Sequence, residues 1–215
     1  MGKAGQFANL VLVIWVVMLV LVFTVGITLF IFKATGSADD RPPPQEDISS
    51  WISHFQWEET DVPTTPYTWE PFGSTYTTFW SPTLGKNVSY LVWLPPGYDT
   101  STKRYPVVYW LPGGNGNQWQ VGAFLQHLEE ALNTGRAPEM IVVGVNGVVC
   151  CSFFINSFAG HLPLESVIID DLIPHVDGAY RTKPQREFRA VEGFSMGGYG
   201  AAHLAFNNTE VFGVV

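Results

Sequence analysis

From about residue 72 onward, short hydrophobic runs alternate with turn-forming segments. Residues 88–94 are apolar or aromatic except for Ser89 and stop at the turn Pro95 to Gly97, which is typical of a strand. The compact apolar runs at residues 106–111 and 140–145 predict buried strands, and residues 188–191 predict a further short strand.

Helical spacing appears between and after these runs. Apolar residues 124, 125, 128, 131 and 132 predict a helix that Gly135 ends. Residues 165–180 predict a second helix, with a kink at Pro174 because proline lacks an N–H donor. Residues 196–206 predict a third. Apolar strands that alternate with helices predict an α/β fold with a doubly wound, mostly parallel sheet. Ligands bind such sheets at the carboxyl ends of the strands, where Gly113–Asn117 and Ser195 emerge.

The amino-terminal part has a different pattern. Phe7 to Phe32 form an uncharged, proline-free run of 26 residues. As a helix it would be about 39 Å long, which is enough to cross about 30 Å of hydrocarbon with some tilt. A cleaved signal peptide is the alternative, because Gly36 to Ala38 are small, but its apolar region would be only about 7–15 residues long.

We therefore expect a single-pass membrane protein. The amino terminus and Lys3 make the short end slightly more positive than Lys33, which is soon followed by acidic residues. This bias predicts a cytoplasmic N-terminus and an extracytoplasmic remainder, which would be secreted if the segment were cleaved.

Three regions follow from these patterns: an anchor helix at residues 1–33, a Pro-rich extended linker at 34–66 and a globular domain at 67–215. The linker mixes prolines, acids, Ser and Thr without a sustained period. Trp51, Ile52, Phe55 and Trp57 interrupt it. These side chains dock on the domain, lie at the lipid interface or pack loosely, and the sequence leaves these alternatives open.

Composition narrows the range of partners. The hydrophobic fraction of 47% and the eight Trp exclude wholesale disorder. All 19 acidic residues lie at or after Asp39, so the part beyond residue 38, with nine Lys and Arg, has a net charge of −10. This charge argues against a nucleic acid as partner, because binding one needs a basic patch to neutralise phosphates. Cys150 and Cys151 are adjacent, which disfavours a disulfide between them, and we expect buried thiols. We expect no metal and no cofactor, and the oligomeric state is not indicated.

The chemistry centres on Gly193 to Gly197, which fit the pattern G-x-S-x-G of a nucleophile elbow. In such an elbow a serine occupies a strained turn between a strand and a helix. Only small residues two positions before and after the serine let that turn close. Because a strand is predicted before Ser195 and a helix after it, the context favours an elbow over a chance match.

The segment from Tyr90 to Val215 resembles the esterase D-like branch of the α/β-hydrolases, which includes feruloyl esterases, S-formylglutathione hydrolases and mycolyltransferases of the antigen 85 type. Four blocks in order carry the resemblance: Leu94–Tyr98, Tyr105–Gly114, Asp171–Thr182 and Arg189–Gly200. The resemblance implies an α/β-hydrolase fold and acyl chemistry on a serine.

The resemblance also implies roles for particular residues. Ser195 would be the acylated nucleophile, and the backbone N–H groups of Met196 and Gly114 would hold the oxyanion. Many relatives carry His-Gly where this chain has Pro112 and Gly113, so the conformation of that loop is open. The side chains that we expect near the cleft are those of Trp119, Asn115 and His161, although core packing is an equally good interpretation of Trp119.

A catalytic acid and base are expected after the serine in this family. The chain after Ser195 holds no Asp, one Glu (Glu210) and one His (His203). Eight residues of helix carry His203 about 12 Å away from the elbow, so we expect a packing or surface role for it. Residues 211–215 resemble the start of another strand. We therefore expect an incomplete chain whose base and acid lie outside it.

The function expected from these residues is a serine esterase that hydrolyses a small-molecule or carbohydrate ester through an acyl-enzyme on Ser195. Without its base it would keep only the part of the rate that the oxyanion hole and binding supply, so weak or absent activity is expected. Acyl transfer to a sugar or lipid acceptor and a non-catalytic binding module displayed at the surface are the alternatives.

Overall fold

The computed structural model describes residues 55–58, 73–114, 116–148 and 151–215. The chain divides into two compact units, Met1–Glu46 and Asp47–Val215, and the first lies wholly outside the described residues. The predicted anchor helix Phe7–Phe32 therefore also lies outside them. Within the described ranges, no helix has the length and apolar character needed to cross a bilayer.

The described residues contain one five-stranded sheet with the strand order β1-β2-β4-β3-β5. β1 pairs antiparallel with β2, and β2 pairs antiparallel with β4. β3 pairs in parallel with both β4 and β5, so Tyr109 lies between Val143 and Val191. The strands are β1 (Thr75–Ser81), β2 (Lys86–Trp93), β3 (Val107–Leu111), β4 (Ile141–Val145) and β5 (Arg189–Gly193).

The prediction of a mostly parallel sheet needs correction, because the sheet is mixed. Its antiparallel half consists of β1 and β2, and β1 was not predicted at all. β1 is an edge strand with mainly half-exposed residues and one exposed Trp80, so it lacks a sustained apolar alternation. The other four strands lie where the hydrophobic runs predicted them, with ends that differ by one or two residues.

Helix α1 (Val121–Asn133) ends before Gly135, whose φ of +70° suits glycine at a helix end. Helix α2 is composite, with α-helical Leu164–Ser166, π-helical Val167–Leu172 and α-helical Ile173–Ala179. The π segment ends at Leu172, two residues before Pro174, and the N–H of Ile173 donates to the carbonyl of Ile168, five residues back. The irregular part of this helix is thus the wider π-helical turn just before Pro174, the residue at which the sequence predicts a kink. Helix α3 is Met196–Asn207.

Period-two alternation along the strands builds a core on each face of the sheet. On one face, Tyr90, Tyr109, Val143 and Val191 join the buried residues of α2 and α3 in the larger cluster. On the other face, Leu91, Trp93, Trp110 and Val142 pack against α1. Helices on both faces hold the carboxyl ends of β3, β4 and β5 at one edge, where the candidate site lies.

Part of the predicted linker belongs to the globular unit. Trp57 is buried in the larger core cluster, and Phe55 packs against that cluster. The backbone N–H of Ser89 on β2 donates to the Trp57 carbonyl at 2.8 Å. Docking on the domain is therefore the correct alternative for Phe55 and Trp57, whereas Trp51 and Ile52 lie outside the described residues.

The carboxyl-terminal residues lie along the outer side of β5. Val214 forms a parallel bridge with Ala190, and the N–H of Val191 donates to the Val214 carbonyl at 3.1 Å. The buried Arg189 holds the same segment, since its Nη1 donates to the Val211 carbonyl at 2.9 Å. The expected extra strand is thus present as a single bridge.

Candidate active site

Ser195 occupies the turn between β5 and α3 and is exposed to solvent. Its φ of 55° and ψ of −112° are strained for a residue with a side chain. The turn is closed by two hydrogen bonds, from Phe194 N to the Leu111 carbonyl at 3.2 Å and from Gly197 N to the Phe194 carbonyl at 2.8 Å. The structure therefore has the strand, strained turn and helix that the pattern predicts.

The flanking glycines explain why the turn can close. A β-carbon on Gly193 would lie 2.4 Å from the carbonyl carbon of Gly197. A β-carbon on Gly197 would lie 2.1 Å from the Leu111 carbonyl oxygen. Both distances are far below van der Waals contact, so the spacing G-x-S-x-G has a steric cause in this chain.

Met196 is the first residue of α3, so its N–H has no acceptor within the helix. The positive end of the helix dipole is also at this position. An anion that forms next to the Ser195 hydroxyl would therefore meet a free donor and a favourable field. This geometry suits the oxyanion role that the resemblance implies for Met196.

The glycine-rich loop after β3 lies beside the elbow. A β-carbon on Gly113 would lie 3.1 Å from a ring carbon of Phe194. The N–H of Gly113 donates to Gln120 Oε1 at 3.0 Å, and the N–H of Gly116 donates to the Gly113 carbonyl at 2.9 Å. Gly114, the second implied oxyanion donor, is exposed in this turn. Asn115 lies outside the described residues.

A segment that the sequence did not single out also packs on the elbow helix: Cys151–Phe154, here called the post-β4 segment. Ser152 Oγ lies 3.9 Å from Met196 Sδ. The Phe153 ring makes a T-shaped contact with Tyr199 at 5.3 Å, and Phe154 fills the space in front of Gly200. No local periodicity marks this segment, and only its paired phenylalanines hint at packing.

Within the described ranges, no side chain hydrogen-bonds the Ser195 hydroxyl. His203 Nε2 pairs with Glu165 Oε2 at 3.0 Å between α3 and α2. His175 Nε2 lies 2.9 Å from the Tyr90 hydroxyl, and burial lowers the pKa of His175. His161 is half-buried in the hairpin that Asn156 and Pro163 close.

The structure decides the surroundings of two further residues. Trp119 stacks on Tyr76 at 6.2 Å and packs with the core cluster under α1, so its ring serves core packing. Cys151 is exposed, which corrects the expectation of a buried thiol, because it lies in the post-β4 segment at the surface. Cys150 lies outside the described residues.

An apolar groove of about 480 Å³ lies beside β3 and β5 on the α1 face. Phe124 and Val108 form one wall, and Val214 and Val215 form the other. Ser195 is not among its lining residues, so the groove is separate from the elbow.

The mixed sheet, the helices on both of its faces and the strained serine turn define a protein of the α/β-hydrolase class. The chain belongs to the family described as putative esterase, whose family model matches residues 81–215. This match confirms the resemblance drawn from the four sequence blocks.

Curated relatives carry related names. The chain is 34% identical over 145 residues to an endo-1,4-beta-xylanase/feruloyl esterase of Xylanibacter ruminicola. The matched region covers 63% of this chain and 20% of that protein. It is 36% identical over 132 residues to the esterase Rv1288 of Mycobacterium tuberculosis, which covers 60% of this chain and 28% of that protein. The chain thus spans less than a third of the length of these relatives.

Solved structures show the same fold. The CE1 ferulic acid esterase of Anaeromyces mucronatus is 26% identical, with a TM-score of 0.57 over 66% of this chain and 56% of that chain. An S-formylglutathione hydrolase of Agrobacterium tumefaciens is 21% identical, with a TM-score of 0.50 over 66% of this chain and 57% of that chain. The second likeness shows the fold alone.

Proposed function

We propose that this protein is a carboxylic ester hydrolase that acts through an acyl-enzyme on Ser195. The observation that carries the proposal is the exposed serine at a strained strand–helix turn, with φ of 55° and the first N–H of α3 beside it. Membership of the putative esterase family supports the same reaction.

The proposed reaction has two halves. The Ser195 hydroxyl adds to the ester carbonyl, and the N–H groups of Met196 and Gly114 stabilise the oxyanion. Collapse of this intermediate expels the alcohol and leaves an ester on Ser195. Water then attacks that ester, and the carboxylic acid leaves. Each addition needs a general base, which we assign to a group outside the described residues, because no described side chain hydrogen-bonds the hydroxyl.

This assignment has a consequence for the rate. A serine without its base retains the acceleration that the oxyanion donors and substrate binding supply, about 10³–10⁴-fold over water in the serine proteases studied. We therefore propose weak hydrolysis wherever that base is absent.

The substrate is proposed to be a small carboxylic ester, free or attached to a carbohydrate. Support comes from the Anaeromyces mucronatus relative, which was solved in complex with ferulic acid. Exposed rings beside the serine are compatible with an aromatic acyl group: Phe194 is 69% exposed, and Phe153 and Tyr199 are also exposed.

The test is covalent labelling of the full chain with a fluorophosphonate probe, followed by peptide mapping. Label on the peptide that holds Ser195, and its loss in Ser195→Ala, are expected. Ser101→Ala is the matched control, because Ser101 lies in a loop far along the chain and its loss should leave labelling intact. An unlabelled Ser195 would favour the non-catalytic binding module instead.

A second assay separates hydrolysis from transfer. Incubation with a p-nitrophenyl ester should release p-nitrophenol slowly, and addition of a sugar acceptor should leave the acid as the main product. An acylated sugar as the main product would identify an acyltransferase. We also propose that Phe7–Phe32 anchors the protein in a membrane with the hydrolase region outside the cytoplasm.

A further inference from the structure

Residues 55–58, here called the strap, are held at the site edge of the sheet by buried contacts. Trp57 is only 3% exposed and belongs to the larger core cluster. Its carbonyl accepts hydrogen bonds from the backbone N–H of Ser89 at 2.8 Å and from Ser89 Oγ at 3.2 Å. The strap thus adds an apolar plug and an extra backbone partner to β2.

One buried amide connects the strap with the chain that leaves β4. Asn146 follows β4 directly and is 2% exposed. Its Nδ2 donates to the carbonyls of Gln56 and Trp57 at 2.9 and 3.0 Å. Its Oδ1 accepts the N–H of Val148 at 2.8 Å. A buried amide is costly without partners, so the strap and the Val148 backbone share the same anchor.

The backbone beyond Asn146 is strained. Val148 has a φ of 62°, and Cys151, Phe153 and Phe154 have φ values of 64°, 50° and 58°. Residues with side chains rarely adopt such angles, and they persist only where the surroundings impose them. Asn146 provides one such restraint at Val148, at the start of the strained stretch.

The far end of this stretch touches the residues around Ser195. Ser152 lies against Met196, whose N–H is the proposed oxyanion donor. Phe154 packs on Gly200 so closely that a β-carbon there would lie 2.5 Å from its ring. Phe153 contacts Tyr199, one helical turn after Ser195. Residues 152–154 therefore form one wall of the elbow.

We propose that Asn146 is a positioning residue that couples docking of the strap to the conformation of the post-β4 segment beside Ser195. Release of the strap removes two acceptors from the Asn146 amide. The restraint on Val148 then weakens, and the strained segment moves away from α3. The region that precedes the hydrolase domain thereby influences the site. The inference rests on the proposed function for the role of Ser195, whereas the coupling of the strap to the post-β4 segment rests on the contacts alone.

The test compares amide hydrogen exchange in the full chain and its variants. Trp57→Ala leaves Asn146 in place but removes the plug, and Asn146→Asp keeps the acceptor for Val148 but loses the two donors. In both variants we expect exchange at residues 151–154 to rise at least tenfold, together with exchange at Trp57 or its neighbours in the strap. Exchange in the centre of β3 should stay unchanged.

Matched controls are available. Trp80→Ala removes an exposed Trp from β1, and Asn87→Asp changes an exposed Asn on β2, so neither should alter exchange at residues 151–154. Ser89→Ala removes the Oγ hydrogen bond to the Trp57 carbonyl and the Oγ acceptor of Asn146 Nδ2, but it keeps the backbone hydrogen bond to the strap. It weakens the same anchor without removing a ring, so a smaller rise in exchange at residues 151–154 is expected if Trp57→Ala does not fold. Faster exchange in the strap with no change at residues 151–154 would overturn the proposal.

The labelling rate of Ser195 gives the second readout. We expect a three- to tenfold slower fluorophosphonate reaction in Asn146→Asp and Trp57→Ala, at equal folded fraction. If wild-type Ser195 is not labelled at all, the proposed function fails, while hydrogen exchange still decides the coupling. Labelling at the wild-type rate in variants whose post-β4 segment has loosened would contradict a positioning role.

Discussion

Gly197 on α3 lies directly against the carbonyl oxygen of Leu111, the last residue of β3, so that a β-carbon on Gly197 would come within 2.1 Å of that oxygen. The oxygen belongs to the backbone of a central strand and cannot rotate away as a side chain would. This close approach sets the distance between the elbow and the glycine-rich loop, and it is a direct target for mutation.

Gly197→Ala should destabilise the fold by about 1–3 kcal/mol or more, because an added methyl group in a packed site forces the backbone apart. Gly178→Ala is the control. Gly178 lies within helix α2, and a β-carbon there meets no atom within 4 Å. Alanine in place of helical glycine should stabilise by about 0.5–1 kcal/mol. Urea midpoints measure both changes, and equal midpoints for the two variants would contradict the packing argument.

Ser195→Gly should be more stable than Ser195→Ala. Alanine keeps the strained φ of 55°, whereas glycine adopts this angle readily, which should raise the free energy of unfolding by about 1–3 kcal/mol. The greater freedom of glycine in the unfolded chain offsets about 0.4–1 kcal/mol of that gain. Loss of a helix cap does not complicate the comparison, because the Ser195 side chain makes no cap hydrogen bond. Thermal unfolding of the two variants measures the difference, and a more stable alanine variant would disprove stored strain at this position.

Arg189→Met should cost about 3–5 kcal/mol, because it leaves the Asp177 carboxylate without its buried partner and frees the Val211 and Pro184 carbonyls. Arg136→Met is the matched control. Arg136 pairs with Glu130 at the surface, where both side chains are more than 60% exposed, so its loss should cost less than about 1 kcal/mol. Denaturant unfolding compares the two, and similar losses would show that burial of the pair is unimportant.

The stability of the protein should fall below pH 6.5 in part through His175. Burial lowers the pKa of His175 from its ordinary value of 6.5, so the unfolded chain takes up a proton more readily than the folded one. The contribution of neutral His175 to the free energy of unfolding is therefore complete above about pH 6.5, and it declines as the pH falls through the folded-state pKa. His175→Gln should flatten the wild-type slope between pH 7 and pH 5 in urea unfolding.

The proposed anchor predicts the behaviour of the full chain in cell fractions. The full chain should sediment with membranes and resist alkaline carbonate, whereas a chain that begins at residue 34 should not. A shorter mature protein in the soluble fraction would instead identify residues 7–32 as a cleaved signal.

Local patterns in the sequence were sufficient for the elbow and for most of the strands and helices. The glycines at positions 193 and 197 are required sterically beside Ser195. Each of the strands β2 to β5 is a short apolar run of neighbouring residues. A π-helical segment lies just before Pro174, where the missing N–H predicts a kink. Such features depend on neighbours in the chain, so a reader of the sequence can predict them.

The local patterns thus predict an α/β chain with a serine on a tight turn and a glycine-rich loop at the same edge of the sheet. Contacts formed only in the folded protein account for the reversed direction of β2, the docking of Trp57 in the core and the positive φ values of Val148, Cys151, Phe153 and Phe154. These features depend on contacts between residues far apart in the chain. No local period records such contacts, because their energy comes from buried surfaces and hydrogen bonds that exist only after the chain has folded.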